Sequence, residues 1–189
     1  MPLNLPNLLT WLRILLIPVF VLLFYLPAGW LDSHLLNLSA AAIFAAAAVT
    51  DWLDGYLARA LNQTSPFGAF LDPVADKLMV AAALIVLLEL QRVQGFIALI
   101  IIGREIAISA LREWMAGAGQ GKNVAVALIG KIKTASQMVA ILLLLYHEPV
   151  AGLPVNEIGT WLIYLAAVLT IASMVYYLVQ ALRPANAGK

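Results

Sequence analysis

Four of the ten acidic residues in this 189-residue chain are aspartates that lie close together, between positions 51 and 76. Charged residues make up only 11% of the sequence, so this concentration is unusual. If the segment is helical, Asp51, Asp54 and Gly55 fall on one face. Asp72 and Asp76 are neighbours one helical turn apart. The spacing predicts two carboxylate pairs facing each other across a gap, which Gly55 keeps open because it has no side chain.

The surrounding sequence is apolar, and this dictates how the four carboxylates are neutralised. An aspartate facing lipid at the bilayer centre costs roughly 2.5 to 3.5 kcal/mol, so the four must face inward. Close carboxylates repel one another and retain protons unless a cation lies between them. Oxygen ligands favour Mg²⁺, Mn²⁺ or Ca²⁺, and four carboxylates balance two divalent ions. Arg59 then remains available to bind an anion. Two metal ions together with a guanidinium suit a displacement reaction at phosphorus.

The complete pattern is D-x-x-D-G-x-x-A-R, eight further residues, and then G-x-x-x-D-x-x-x-D. It resembles, without a departure, the signature of the CDP-alcohol phosphotransferases, which are integral membrane enzymes of phospholipid synthesis. The resemblance implies a CDP-linked donor and release of CMP. It implies that Asp51, Asp54 and Asp72 carry most of the metal ligation. Asp76 would be both a ligand and the general base for the acceptor hydroxyl.

The same resemblance implies where the donor binds. Arg59 would pair with the diphosphate. Gly55, Ala58 and Gly68 would let the ribose and cytosine approach the backbone closely, because their side chains are absent or small.

The composition indicates a polytopic membrane protein with one domain, since 63% of the residues are hydrophobic and the mean hydropathy is +0.95. There is no cysteine, which excludes disulfides and thiolate metal sites. Helix-sized apolar stretches are separated by Gly, Pro, Asn or charged residues. They predict an all-α integral membrane protein with six transmembrane helices, at about 14–26, 35–58, 73–90, 94–116, 124–146 and 158–182.

Residues 1–13 alternate apolar and polar groups and predict a short amphipathic helix at the membrane interface, with Trp11 as an anchor and Asn7 as a cap. Asn7, Thr10 and Arg13 resemble the usual N-terminal segment of the family. The sequence assigns them no definite role. No basic segment precedes the apolar run, so a signal peptide is not expected.

Positive charge is distributed unevenly between the predicted helix ends. Ten of the eleven Lys and Arg residues lie on one side and Arg92 lies alone on the other. The positive-inside rule therefore places both termini and the mouth of the aspartate site in the cytoplasm. The family resemblance implies that the membrane is a bacterial inner membrane. Residues 14–182 would form the membrane domain and 183–189 a cytoplasmic tail. His34 and His147 lie in or near the opposite turns and are not expected to bind metal.

A second polar region interrupts the apolar helices of the C-terminal half. Glu105 and Arg112 are seven residues apart, so they share a helix face and could pair with each other. Arg104, Lys131 and Lys133 remain as additional cations on the same side of the membrane. A second anionic group would account for them.

Further segments resemble bacterial members of the family that transfer a phosphatidyl group from CDP-diacylglycerol to sn-glycerol 3-phosphate. This implies that the acceptor phosphate binds to Arg104, Arg112, Lys131 and Lys133. It also implies a homodimer embedded in membrane lipid, and no nucleic-acid partner is expected. The segments that carry this resemblance are 4–10, 49–52, 67–77, 104–106, 110–115 and 130–134.

Other interpretations stay open. The same fold could use another acceptor, as phosphatidylserine and cardiolipin synthases do. The charges could merely lock helices together, and Asp72, which precedes Pro73, could be only a helix cap. A cation transporter would use the aspartates as an ion site, but it leaves Arg59 and Gly68 without a role and usually has an internal repeat, which this sequence lacks.

Overall fold

The computed structural model describes residues 5–27, 29–61, 66–117 and 128–182. Within these ranges the chain is all-helical and contains no β-strand, as the sequence predicts. A short 3-10 turn follows the first helix at Leu23–Tyr25. The helices are α1 Leu5–Leu22, α2 Ser33–Ala60, α3 Pro66–Glu89, α4 Gly95–Gly117, α5 Leu128–Tyr146 and α6 Val155–Leu182.

Helix α1 combines two elements that the sequence analysis separates, the amphipathic segment and the first apolar stretch. It is continuous across residue 13. No glycine or proline lies between Asn7 and Ile17, so nothing in the sequence breaks the helix there. Consequently Arg13 lies in the middle of α1 rather than at a helix end.

The helices pack around an apolar core. Helix α1 contacts α2 and α3, whereas α6 contacts α4 and α5. Contacts of α3 with α4, and of α5 with both α2 and α3, join the two groups. Small residues such as Ala40, Ala83 and Ala140 allow the backbones to approach closely. Each of α1 to α5 contributes a large apolar side chain that is fully buried: Phe20, Phe44, Leu84, Ile101 and Leu144.

The outward surface is apolar, which indicates a membrane protein. Leu15, Leu99 and Val168 are each more than 60% exposed, which is unfavourable in water and favourable in lipid. All five tryptophans are 40 to 75% exposed, so their rings are available to contact the membrane interface, where tryptophan is enriched. In the described part of the chain, three segments are long and apolar enough to span a bilayer: Leu8–Tyr25, Ser33–Leu57 and Val155–Tyr176.

A polar network closes the end of the bundle that lies opposite the aspartates. Arg92, in the α3–α4 turn, donates hydrogen bonds to the Leu144 and Leu145 carbonyls at 3.1 and 2.9 Å. It also donates to Asn37 Oδ1 at 2.8 Å, and Asn37 donates to Glu148 at 3.4 Å. These turns therefore have a structural function, because Arg92 satisfies carbonyls that the end of α5 leaves without helical partners.

The two histidines belong to this end of the molecule. His34 Nδ1 lies 2.5 Å from Glu148 Oε2, and this hydrogen bond lowers the pKa of the Glu148 carboxyl. Burial lowers the pKa of His147. Neither histidine has a described contact with the aspartates.

The α5–α6 packing yields a stability prediction. A Cβ added to Gly159 would lie 3.0 Å from Leu144 Cγ and 3.2 Å from Leu143 Cβ, whereas one added to Gly103 meets nothing within 4 Å. Alanine favours a helix over glycine by about 0.5 to 1 kcal/mol. We expect Gly103→Ala to raise the melting temperature in detergent. The melting temperature of Gly159→Ala should be lower than that of Gly103→Ala, because the added methyl group forces α5 and α6 apart. Equal melting temperatures would contradict this packing.

Candidate active site

The aspartates meet where the C-terminal part of α2 and the N-terminal part of α3 pack against α1. The Thr10 hydroxyl, on α1, donates to Asp72 Oδ1 at 2.5 Å and lies 3.5 Å from Asp54 Oδ2. One hydroxyl therefore connects a carboxylate of α2 with a carboxylate of α3. Asp51 and Asp76 line a common cavity. The structure thus brings all four aspartates into one region.

Arg13 supplies the positive charge that this region requires. Its Nη1 lies 2.7 Å from Asp51 Oδ1, and its Nη2 contacts Asp54 Oδ2. The Arg13 side chain is 1% exposed and that of Asp54 is 3% exposed, whereas Asp51 is 45% exposed. The planar guanidinium can bind both carboxylates at once, which a single ammonium group cannot do in the same way.

Thr10 and Arg13 are functional-site residues to which the sequence analysis gives no role. The available signal is their spacing: they lie three residues apart on one face of an otherwise apolar helix. That spacing shows that they share a face. It does not show that the face meets α2 and α3.

The side chains of this region carry ligand atoms of the kind that divalent cations prefer. These atoms are all oxygens, from the carboxylates of Asp51, Asp54, Asp72 and Asp76 and the hydroxyl of Thr10, and Mg²⁺ and Mn²⁺ prefer such ligands. In the part of the chain described, no three acidic or histidine side chains are grouped to hold a metal by themselves. The positive charge between Asp51 and Asp54 comes from Arg13.

Two sizeable cavities adjoin the carboxylates in the described part of the chain. The larger has a volume of about 420 Å³ and extends to Arg104, Ser109 and Glu113, and the smaller has a volume of about 290 Å³ and extends to Asp51 and Gln137. Asp76 therefore borders both cavities. The residues that line both cavities are Asp76, Lys77, Glu105 and Thr134.

Glu105 organises the wall between these cavities. Its carboxylate contacts Lys133 Nζ and lies 3.2 Å from Arg104 Nη1. Arg104 also donates to Ser173 on α6 at 3.3 Å. The sequence allows an ion pair between Glu105 and Arg112. In the described part of the chain, the Glu105 carboxylate instead pairs with Arg104 and Lys133. Lys133 is 1% exposed, and a buried ammonium requires such a carboxylate partner.

Several predicted binding residues can be placed only on their helices. Gly55 lies near the end of α2, and Gly68 is buried in the first turn of α3. Four further residues lie on helices but their side chains are outside the described part: Ala58 and Arg59 on α2, Arg112 on α4 and Lys131 on α5. Their roles in binding CDP or the acceptor remain predictions.

The buried Arg13 contacts predict the effect of substituting this residue. Arg13→Met would leave Asp54 buried with its carboxylate unpaired by a cation, and breaking a buried ion pair costs about 3 to 5 kcal/mol. We expect a clear drop in the melting temperature in detergent. Arg13→Lys is the matched control. Its melting temperature should lie between those of the wild type and Arg13→Met, because lysine keeps the charge but cannot contact both carboxylates as the guanidinium does. A melting temperature for Arg13→Met equal to that of the wild type would contradict this role.

The family model of the CDP-alcohol phosphatidyltransferases matches residues 3–172, which include the four aspartates, Arg13 and both cavities. The chain is 51% identical over 180 residues to proteins from Shigella flexneri serotype 5b, Shigella boydii serotype 4 and Escherichia coli strain K12. Each is named CDP-diacylglycerol–glycerol-3-phosphate 3-phosphatidyltransferase, and each match covers 94% of both chains. The chain belongs to the CDP-alcohol phosphatidyltransferase family.

Proposed function

We propose that this protein transfers the phosphatidyl group of CDP-diacylglycerol to sn-glycerol 3-phosphate, giving phosphatidylglycerol phosphate and CMP. The observation that carries this proposal is the 51% identity, over 94% of both chains, to proteins named for that reaction. The site supports it, because carboxylates and cations adjoin cavities large enough for a small polar acceptor.

The carboxylate cluster is the proposed centre of the reaction. Dependence on divalent metal is general in this family. The residues that would hold two divalent cations, Mg²⁺ or Mn²⁺, are Asp51, Asp54, Asp72 and Asp76. When bound, such cations stabilise negative charge on the oxygens around the transferred phosphorus.

Asp76 is the proposed general base. It lines both cavities, so an acceptor in either one can bring a hydroxyl within hydrogen-bond distance. The carboxylate takes the proton of that hydroxyl as its oxygen attacks the phosphorus of the phosphatidyl group. The bond from this phosphorus to the oxygen bridging to CMP breaks, and CMP leaves with the electron pair. Arg59 would hold the diphosphate, with Gly55, Ala58 and Gly68 beside the nucleoside.

The proposed acceptor-phosphate site includes Arg104 together with Lys77, a residue that the sequence analysis does not assign to it. Arg104 lines the larger cavity, and Lys77 is half-buried and lines both. Lys133 would act differently, by neutralising Glu105 and so fixing the wall beside Arg104. Arg112 and Lys131 remain proposed members of this site.

The orientation in the membrane is also part of the proposal. All six helices would span a bacterial inner membrane, with both termini and the aspartates on the cytoplasmic side. The exposed apolar side chains and tryptophans support the spanning arrangement, and the positions of ten of the eleven Lys and Arg residues support the orientation. The family resemblance also implies a homodimer.

The reaction is tested by measuring CMP release from CDP-diacylglycerol by the purified protein in detergent with Mg²⁺. Glycerol 3-phosphate, serine, inositol phosphate and phosphatidylglycerol are compared as acceptors. We expect release only with glycerol 3-phosphate, and Asp76→Asn should reduce it by at least about 100-fold. Release with a different acceptor would reject the assigned substrate. No metal-dependent release with any acceptor would reject the enzymatic assignment.

The acceptor-phosphate site makes a separate prediction. Lys77→Gln and Arg104→Gln should each raise the KM for glycerol 3-phosphate by about tenfold or more, because a hydrogen bond to a charged group contributes roughly 1.5 to 3 kcal/mol. The KM for CDP-diacylglycerol should stay the same. Glu113→Gln is a matched control: it alters charge in the same cavity but should not raise the acceptor KM. An unchanged acceptor KM in Lys77→Gln would exclude Lys77 from the site.

A further inference from the structure

Gln137 is a buried polar residue to which neither the sequence analysis nor the proposed mechanism gives a role. It lies near the middle of α5, one helical turn after Lys133, and is 3% exposed. Its Oε1 accepts no hydrogen bond from any described residue. A buried amide oxygen without a donor is unfavourable, and folded proteins rarely retain one without a reason.

The position of Gln137 indicates what the missing donor is. Gln137 lines the cavity of about 290 Å³ together with Asp51, Asp76 and Lys77. Charged groups on this wall favour a polar ligand over an acyl chain. The side chain of Gln137 therefore lines a space suited to a small molecule that carries hydroxyl groups.

The position of Gln137 also indicates that it would contact the acceptor rather than the CDP-linked donor. Gln137 and Lys133 share a face of α5, next to the Glu105–Arg104 wall. The residues proposed for the nucleotide lie on α2 and in the first turn of α3. Glycerol 3-phosphate has one hydroxyl that reacts, a phosphate that requires cations, and a second hydroxyl that takes no part in bond formation. With the reacting hydroxyl at Asp76, the second hydroxyl would lie in the cavity that Gln137 also lines.

We infer that Gln137 hydrogen-bonds the non-reacting secondary hydroxyl of glycerol 3-phosphate and thereby selects a polyol phosphate as the acceptor. This inference rests on the proposed function. An amide both donates and accepts, and so does a hydroxyl, so either orientation of the amide can form this bond. Gln137 is thus a specificity residue, separate from the base and from the cations that bind phosphate.

The test compares glycerol 3-phosphate with 3-hydroxypropyl phosphate, which has the same chain and phosphate but lacks the secondary hydroxyl. Relative kcat/KM values are measured for the wild type, Gln137→Met and Met138→Leu. A site built around a substrate hydroxyl discriminates strongly against an analogue without it, so the wild type should prefer glycerol 3-phosphate by at least about 100-fold. Met138 lines the same cavity, and its volume-conserving replacement should keep that preference.

Gln137→Met should reduce the preference to about tenfold or less, mainly by lowering kcat/KM for glycerol 3-phosphate. Its KM for CDP-diacylglycerol should stay the same, and its melting temperature should not fall, because an apolar side chain replaces a buried amide oxygen that has no donor among the described residues. A preserved preference, an equal loss for both acceptors, or a raised KM for CDP-diacylglycerol would overturn the inference.

The outcomes separate this inference from the proposed function. If the wild type releases no CMP with glycerol 3-phosphate, the proposed function itself fails. If the wild type is active but uses both acceptors equally well, only the role of Gln137 fails, and this result does not depend on whether any variant folds.

Discussion

The contact of Arg13 with Asp51 and Asp54 is the interaction on which the rest of the site depends. Carboxylates inside an apolar helix bundle require positive charge, and the guanidinium supplies it from a neighbouring helix. The contact fixes α1 against α2, and the hydrogen bond from Thr10 to Asp72 extends the same arrangement to α3. A requirement for charge neutralisation therefore determines how three helices meet.

The same principle positions the C-terminal half. Glu105 on α4 is neutralised by Arg104 on its own helix and by Lys133 on α5. Glu105 and Arg104 line the larger cavity together with Asp76, so the proposed base borders both the carboxylate cluster and this charged wall. In the proposed reaction, the donor uses the first region and the acceptor uses the second. The described residues that line the two cavities all belong to helices α2 to α5.

Much of this arrangement follows from local sequence. Apolar stretches of helical length predict the helices, and the spacing of the aspartates predicts which carboxylates share a face. Partners between helices are less predictable, because periodicity gives the face of a helix but not its neighbour. For that reason the contacts of Thr10 and Arg13 and the pairing of Glu105 with Lys133 become visible only in the structure. The buried position of Gln137 likewise depends on how α5 packs, because the same helix carries several other polar residues and the sequence does not show which of them are buried.

In the proposed reaction, the acceptor hydroxyl attacks the phosphatidyl phosphorus directly, with Asp76 as its base. The most direct measurement is the stereochemical course of transfer from CDP-diacylglycerol that carries a chiral phosphorothioate at the transferred phosphorus. A single displacement predicts inversion of configuration at phosphorus in the product. Retention would indicate two displacements through a covalent phosphatidyl-enzyme intermediate, and would contradict the account.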